Sequence, residues 1–174
     1  MSASLSRIER ADRPSIAVMS TLLGPLSVSA ASVFEVEGGL RGFEALTSFA
    51  LVPAVRDGLF WLQSTDLADC TFLVGDPFAA AADFAVDLSD TDRAQLELRD
   101  PSAALVLGVI TLPTGGDAPA QLPTINLRGP LVFNTERGVA RQIVSANERF
   151  EFRAPVAIDA YPVRVDGGIA PMAR

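Results

Sequence analysis

The apolar residues of this chain come in short runs, cut off repeatedly by Gly, Pro or Asp. An amphipathic helix needs about ten or more residues with apolar positions three or four apart, whereas a strand needs only about four to eight. Phe34 and Val36 alternate with Glu35 and Glu37, the period-two pattern of a half-buried strand, and Gly38-Gly39 ends it. Residues 16–23 and 26–29 read as two strands around a Gly24-Pro25 turn. Residues 49–52 stop at Pro53, Asp57-Gly58 signals a hairpin, and residues 59–64 return. Residues 70–75 end at Asp76-Pro77. The continuous run 105–112 predicts a strand covered on both faces. Residues 131–134 and 139–144 flank Glu136-Arg137-Gly138 as a further hairpin, and Phe150 and Phe152 alternate with Glu151 and Arg153. One helix is expected over 90–98, with Ser89 as its cap, Asp90 and Asp92 in its first turn and Asp100-Pro101 as its stop. Residues 113–123, with Gly115-Gly116-Asp117 inside, read as a loop.

Many short strands and one brief helix predict a mainly β chain, either a barrel or a compact sandwich. A length of 174 residues suits one domain, and 49% hydrophobic content suffices for a core. The expected organisation is a polar N-terminal tail at 1–13, a domain over 14–156 and a C-terminal tail at 157–174. Residues 14–34 carry no charge and follow Arg7, Arg10 and Arg13, which superficially suggests a secretory signal. Glu9 and Asp12 dilute the basic region, and Ser, Thr, Gly and Pro interrupt the apolar stretch, so paired strands are the better reading and no membrane span is expected.

The side-chain inventory restricts chemistry. The chain has no His, and all fourteen basic residues are Arg. That removes the commonest general base and metal ligand, together with lysine Schiff-base chemistry. One Cys forms no internal disulfide, and Cys70 lies in an apolar run, as a buried structural thiol does. The Asp spacing lacks the order of a calcium-binding loop. No catalytic, cofactor-binding or metal-ligating residue is singled out.

The net charge of −7 is concentrated. Residues 57–92 carry eight Asp (57, 66, 69, 76, 83, 87, 90 and 92) and no Arg, so this one segment holds the whole excess. Such a field repels nucleic acid and favours a basic partner, although a solubilising surface has the same composition.

Several motifs occur in a specific order: Gly42-Phe43-Glu44, then Phe60-Trp61-Leu62-Gln63-Ser64-Thr65-Asp66, Asp76-Pro77-Phe78 and Phe84-Ala85-Val86-Asp87-Leu88-Ser89-Asp90. They are followed by Ile125-Asn126-Leu127-Arg128-Gly129-Pro130-Leu131-Val132-Phe133-Asn134, and then by Gly138 and Gln142 in a Gly-x-x-x-Gln run. Over residues 16–156 this series resembles the flagellar assembly factor FliW family. The sequence departs from that pattern at Ala79-Ala80-Ala81-Ala82, where the family usually has an aromatic, Pro-containing stretch, and at Ala154-Pro155, which replaces a common His-Pro pair.

The resemblance implies a small β-barrel-like protein without catalytic activity. It also implies cytoplasmic binding to newly made flagellin and to the translational regulator CsrA, relieving repression of flagellin mRNA. Asp83 and Asp87 are then candidate contacts for a basic surface on CsrA, with no direct role for nucleic acid or membrane. Phe60, Phe78 and Phe84 are candidate contacts for flagellin, with core packing as the competing role for each. Asn126, Arg128 and Asn134 are further candidates that equally suit turn and strand-edge hydrogen bonding. Two other readings are a β-barrel carrier of a small apolar ligand and, behind it, an enzyme built on paired Asp residues.

Overall fold

The computed structural model describes residues 14–113 and 122–163. The expected N-terminal tail, most of the 113–123 loop and residues 164–174 lie outside the described residues. The first two strands, β1 (Ser15–Ser20) and β2 (Gly24–Ser29), form an antiparallel hairpin of their own. Its turn falls at residues 21–23, earlier than Gly24-Pro25. The Ser20 hydroxyl accepts a hydrogen bond from the Leu23 N–H at 3.0 Å, and Gly24 leaves the turn at φ +78°. Pro25 sits inside β2 opposite Met19, where an edge strand tolerates it.

The main sheet comprises β3 (Val33–Val36), β4 (Ser48–Pro53), β5 (Leu59–Ser64), β6 (Thr71–Gly75), β7 (Ala104–Thr111), β8 (Thr124–Ile125), β9 (Leu131–Asn134), β10 (Val139–Gln142) and β11 (Ala154–Pro155). β7, β6, β5, β4, β3, β10 and β9 neighbour one another in that order, and β9 pairs back onto β7, closing a seven-stranded barrel. Every pair in the ring is antiparallel except β3 with β10, which run parallel. β8 and β11 extend the sheet beyond β7.

Period-two alternation sorts the strand residues between two environments. Phe34, Phe49, Leu51, Phe60, Leu62, Leu107, Leu131 and Phe133 fill the barrel interior, with Phe34 and Phe133 in edge-to-face contact at 5.0 Å. Burial of each such side chain contributes about 1.5–3 kcal/mol. The outer faces are covered in three places. The β1–β2 hairpin lays Val18 and Val28 on Ala50. Leu96 lies on Val132 and Ile143. Phe84, Phe150, Val156 and Tyr161 gather over Ile110 and Ile125. This double cover explains the unbroken apolar run in β7. Leu107 points inward while Ile110 lies under the outer layer.

The one helix, α1 (Asp90–Gln95), carries a capping box in which Ser89 and Asp92 satisfy each other's backbone N–H groups. It ends short of residue 98 because Leu96 is drawn onto the barrel and Glu97 turns at φ +50°. Two other expectations need correction. Phe150 is buried and Phe152 exposed, and neither lies in a strand. The packed body also runs past Val156. Residues 158–160 form a 3-10 turn, the Tyr161 ring is buried, its hydroxyl donates to the Asp76 carbonyl at 2.9 Å, and Val163 bridges to Arg56. Gly75, facing Gly108 across β6 and β7, makes room for that ring, since a Cβ there would stand 2.6 Å from the Tyr161 hydroxyl.

Candidate functional site

Most of the motif residues hold the barrel together. The Gln63 side-chain amide donates to the carbonyls of Ser64, Leu67 and Ala68, and the Ser64 hydroxyl accepts from the N–H groups of Asp66 and Leu67, so the pair builds the β5–β6 turn. Glu44 accepts from the Gly42 N–H at 2.9 Å, a bond that holds its carboxyl below the usual pKa.

Between the Ile110–Ile125 and Leu107–Leu131 partners, β7 advances three residues while the facing chain advances six. The surplus bulges out at residues 127–130. Asn126 makes this bulge: its Oδ1 accepts from the N–H groups of Arg128 and Gly129 at 3.1 and 2.7 Å. Gln142 clamps it by donating to the Gly129 carbonyl at 3.1 Å while accepting from the Arg41 N–H at 3.0 Å. Arg128 pairs with Glu148 at 3.6 Å and lies 5.1 Å above the Phe152 ring.

Asn134 is buried. It donates to the carbonyls of Leu96 and Glu97 and accepts from the N–H groups of Glu136 and Arg137. Asn126 and Asn134 thus spend their side-chain bonds on backbone, as turn-forming residues do. Phe60 and Phe84 are buried, at 2% and 5% exposure. Burial raises the pKa of the Cys70 thiol, consistent with a structural role.

The acidic segment does not form one patch. β5 runs between Asp57 and Asp66 and so places them at opposite ends of the barrel. Asp69 accepts from the Thr21 hydroxyl, Asp83 pairs with Arg149, and Asp92 pairs with Arg141 at 3.4 Å. Arg141 also reaches Glu37 at 3.2 Å. Asp87 is exposed and has no hydrogen-bond or ion-pair partner among the described residues.

Residues 84–89 separate two surface clefts of unlike chemistry, because side chains along an extended segment alternate between its two sides. One cleft, of about 300 Å³, is bordered by Phe78, Phe84, Leu88, Leu98 and Val132, with Arg93 and Arg99 at its edge. Phe78, half exposed, meets the Phe84 ring edge-on at 5.8 Å. The other cleft, of about 510 Å³, is bordered by Asp87, Ser89 and Asp92 on one side and by Ile143, Val144 and Ala146 on the other. Of the sequence candidates, the fold brings Phe78, Phe84, Asp83 and Asp87 to this region. The facing residues 143–147 went unnoticed in the sequence, where nothing marks them out.

Among the described residues, no group of three or more His, Cys, Asp or Glu is placed to hold a metal ion, and no helix is long and apolar enough to cross a membrane.

The model of the FliW protein family matches residues 17–156. The chain is 30% identical over 142 residues to the flagellar assembly factor FliW of Treponema pallidum, covering 82% of this chain and 92% of the relative. It is 35% identical over 139 residues to that of Geotalea uraniireducens, covering 79% and 82%. A crystal structure of the flagellar assembly factor FliW superposes with a TM-score of 0.71 at 19% identity, covering 80% of this chain and 96% of that one, so the folds agree. On the family match and these relatives together, the chain belongs to the FliW family.

Proposed function

We propose that this protein is a cytoplasmic flagellar assembly factor that binds flagellin and antagonises CsrA, relieving repression of flagellin mRNA translation without catalysing a reaction. The observation that carries the reading is the pair of unlike clefts flanking residues 84–89. Flagellin's terminal segments are amphipathic and need an apolar groove, which the Phe78 cleft offers. An RNA-binding regulator presents basic surface, which Asp87 on the wall of the other cleft complements, with the Arg149-paired Asp83 four residues before it. A carrier of small apolar ligands needs an enclosed cavity, whereas the interior of this barrel is packed with Phe and Leu side chains.

Calorimetric titration of the full chain with purified flagellin and, separately, with purified CsrA tests the proposal. Both are expected to bind, with CsrA affinity falling steeply between low and physiological salt. Failure of flagellin to bind rejects the assembly role, and failure of CsrA to bind rejects the regulatory one.

A further inference from the structure

The edge of β10 that β3 covers continues beyond β3 without a partner. The Gly138 and Ala140 carbonyls accept from the Glu35 and Glu37 N–H groups, so even-numbered residues here face β3. Odd-numbered residues face the other way: the N–H groups of Ile143 and Ser145 donate to the carbonyls of Pro130 and Arg128, in the register that pairs β10 with β9. The extended chain therefore runs on past Gln142 as far as Ser145, whose hydroxyl then accepts from the Asn147 N–H and starts a turn, so the backbone groups of Val144 and the N–H of Ala146 point away from β9. β3 has ended by then, at Val36, and Gly38-Gly39 turns the chain aside at positive φ. Val144 and Ala146 border the larger cleft, which Ala85 and Asp87 line as well. Among the described residues, the N–H groups of Ala85, Val86, Asp87, Val144 and Ala146 find no protein acceptor. Backbone N–H groups without a protein acceptor thus occur on both sides of one slot, whose volume of about 510 Å³ lies in the range of about 300–1,000 Å³ usual for ligand clefts.

We infer that this slot is a strand-addition site, in which an extended, basic segment of another protein pairs with Val144 and Ala146 as a continuation of the barrel sheet. Backbone pairing supplies affinity in this mode, and side-chain pockets supply selectivity. Here Ile143 and Val86 offer apolar contact, and the unpaired carboxylate of Asp87 selects Arg or Lys on the incoming strand. The same charge disfavours an acidic segment. The inference goes beyond the proposed function and does not depend on which protein supplies the strand.

The test is a titration of the 15N-labelled full chain with an acetylated, amidated peptide of alternating Val and Arg, followed by NMR. Two control peptides accompany it, one N-methylated at every second residue and one with Glu in place of Arg. The Val144 and Ala146 amide resonances are expected to shift saturably with the parent peptide, and their hydrogen exchange to slow at least tenfold. Neither control should reproduce this. Val144→Pro removes only an N–H that is unpaired in the free protein, so the fold should persist while the response is lost. If that variant fails to fold, the N-methylated peptide still decides the matter. Unmoved resonances at 144 and 146, an equal response to the N-methylated or Glu peptide, or amides already protected in the free protein would each overturn the inference.

Discussion

Asn134 holds the end of α1 onto the barrel by donating from its side-chain amide to the Leu96 carbonyl at 2.9 Å. Leu96 is 1% exposed and follows a helix of only six residues, too short to stand alone. The same Asn caps the β9–β10 turn through Oδ1, so one side chain serves two elements far apart in sequence. Asn134→Ala leaves both sets of backbone groups unpaired. It should cost about 2–3 kcal/mol in denaturant unfolding. A loss of only a few tenths would show that water replaces these bonds freely.

The three candidate Phe residues should separate cleanly. Phe60→Ala empties part of the barrel interior and is expected to cost about 3–5 kcal/mol. Phe84→Ala should approach the lower end of that range. Phe78→Ala gives up an edge contact worth about 1 kcal/mol but removes the most exposed ring of the apolar cleft. Flagellin affinity should therefore fall at least tenfold in Phe78→Ala with little change in melting temperature. If affinity instead tracks stability across all three, the cleft is not the contact.

Asp83 and Asp87 also divide. Asp83 is already engaged by Arg149 in an exposed pair, so Asp83→Asn should change stability by less than about 1 kcal/mol. Asp87→Arg reverses an unpartnered charge, and it should weaken CsrA binding more than Asp83→Asn does and flatten its salt dependence. Equal affinity for Asp87→Arg and wild type would remove the acidic side of residues 84–89 from the CsrA contact.

Tyr161 is the chain's single Tyr, so alkaline titration reads it alone. Burial first, and then the negative charge of Asp76, raises its pKa well above the ordinary value near 10. The unfolded chain releases this proton above about pH 10 while the folded chain retains it, so stability falls as pH rises beyond that point. Tyrosinate absorbance should appear together with unfolding, not before it. Tyr161→Phe should remove this contribution to the alkaline decline while leaving the Asp76 carbonyl without its donor, at a cost of about 1 kcal/mol at neutral pH. Ionisation near pH 10 with the fold intact would contradict the packing of residues 158–163.

The ordered motifs were legible in the sequence, but their role was not. Asn126 and Asn134 read equally as partner contacts and as turn formers, and their side-chain oxygens bind backbone N–H groups in the bulge and the β9–β10 turn, while Gln142, read only as part of a motif, clamps the bulge. A buried Asn that satisfies backbone and an exposed Asn that meets a partner look the same in one dimension. Phe60, inside the barrel on β5, and Phe78, exposed in the 3-10 turn Pro77–Ala79, differ in the same way, since neither spelling nor spacing tells which ring distant residues will cover.

Most of the longer strands, the Gly38-Gly39 and Asp57-Gly58 turns and the Ser89 cap followed from the sequence alone, because alternation, positive φ and capping are set by neighbours a few residues apart. Chain ends and associations followed only from tertiary structure, because they depend on residues far apart meeting. The parallel closure of β3 on β10, the return of Tyr161 to Asp76, and the splitting of the acidic segment between the two ends of the barrel are all of that kind. The bare edge at Val144 and Ala146 is too. A backbone N–H is unpaired only when every other strand has already gone elsewhere, and no local pattern records where those strands went.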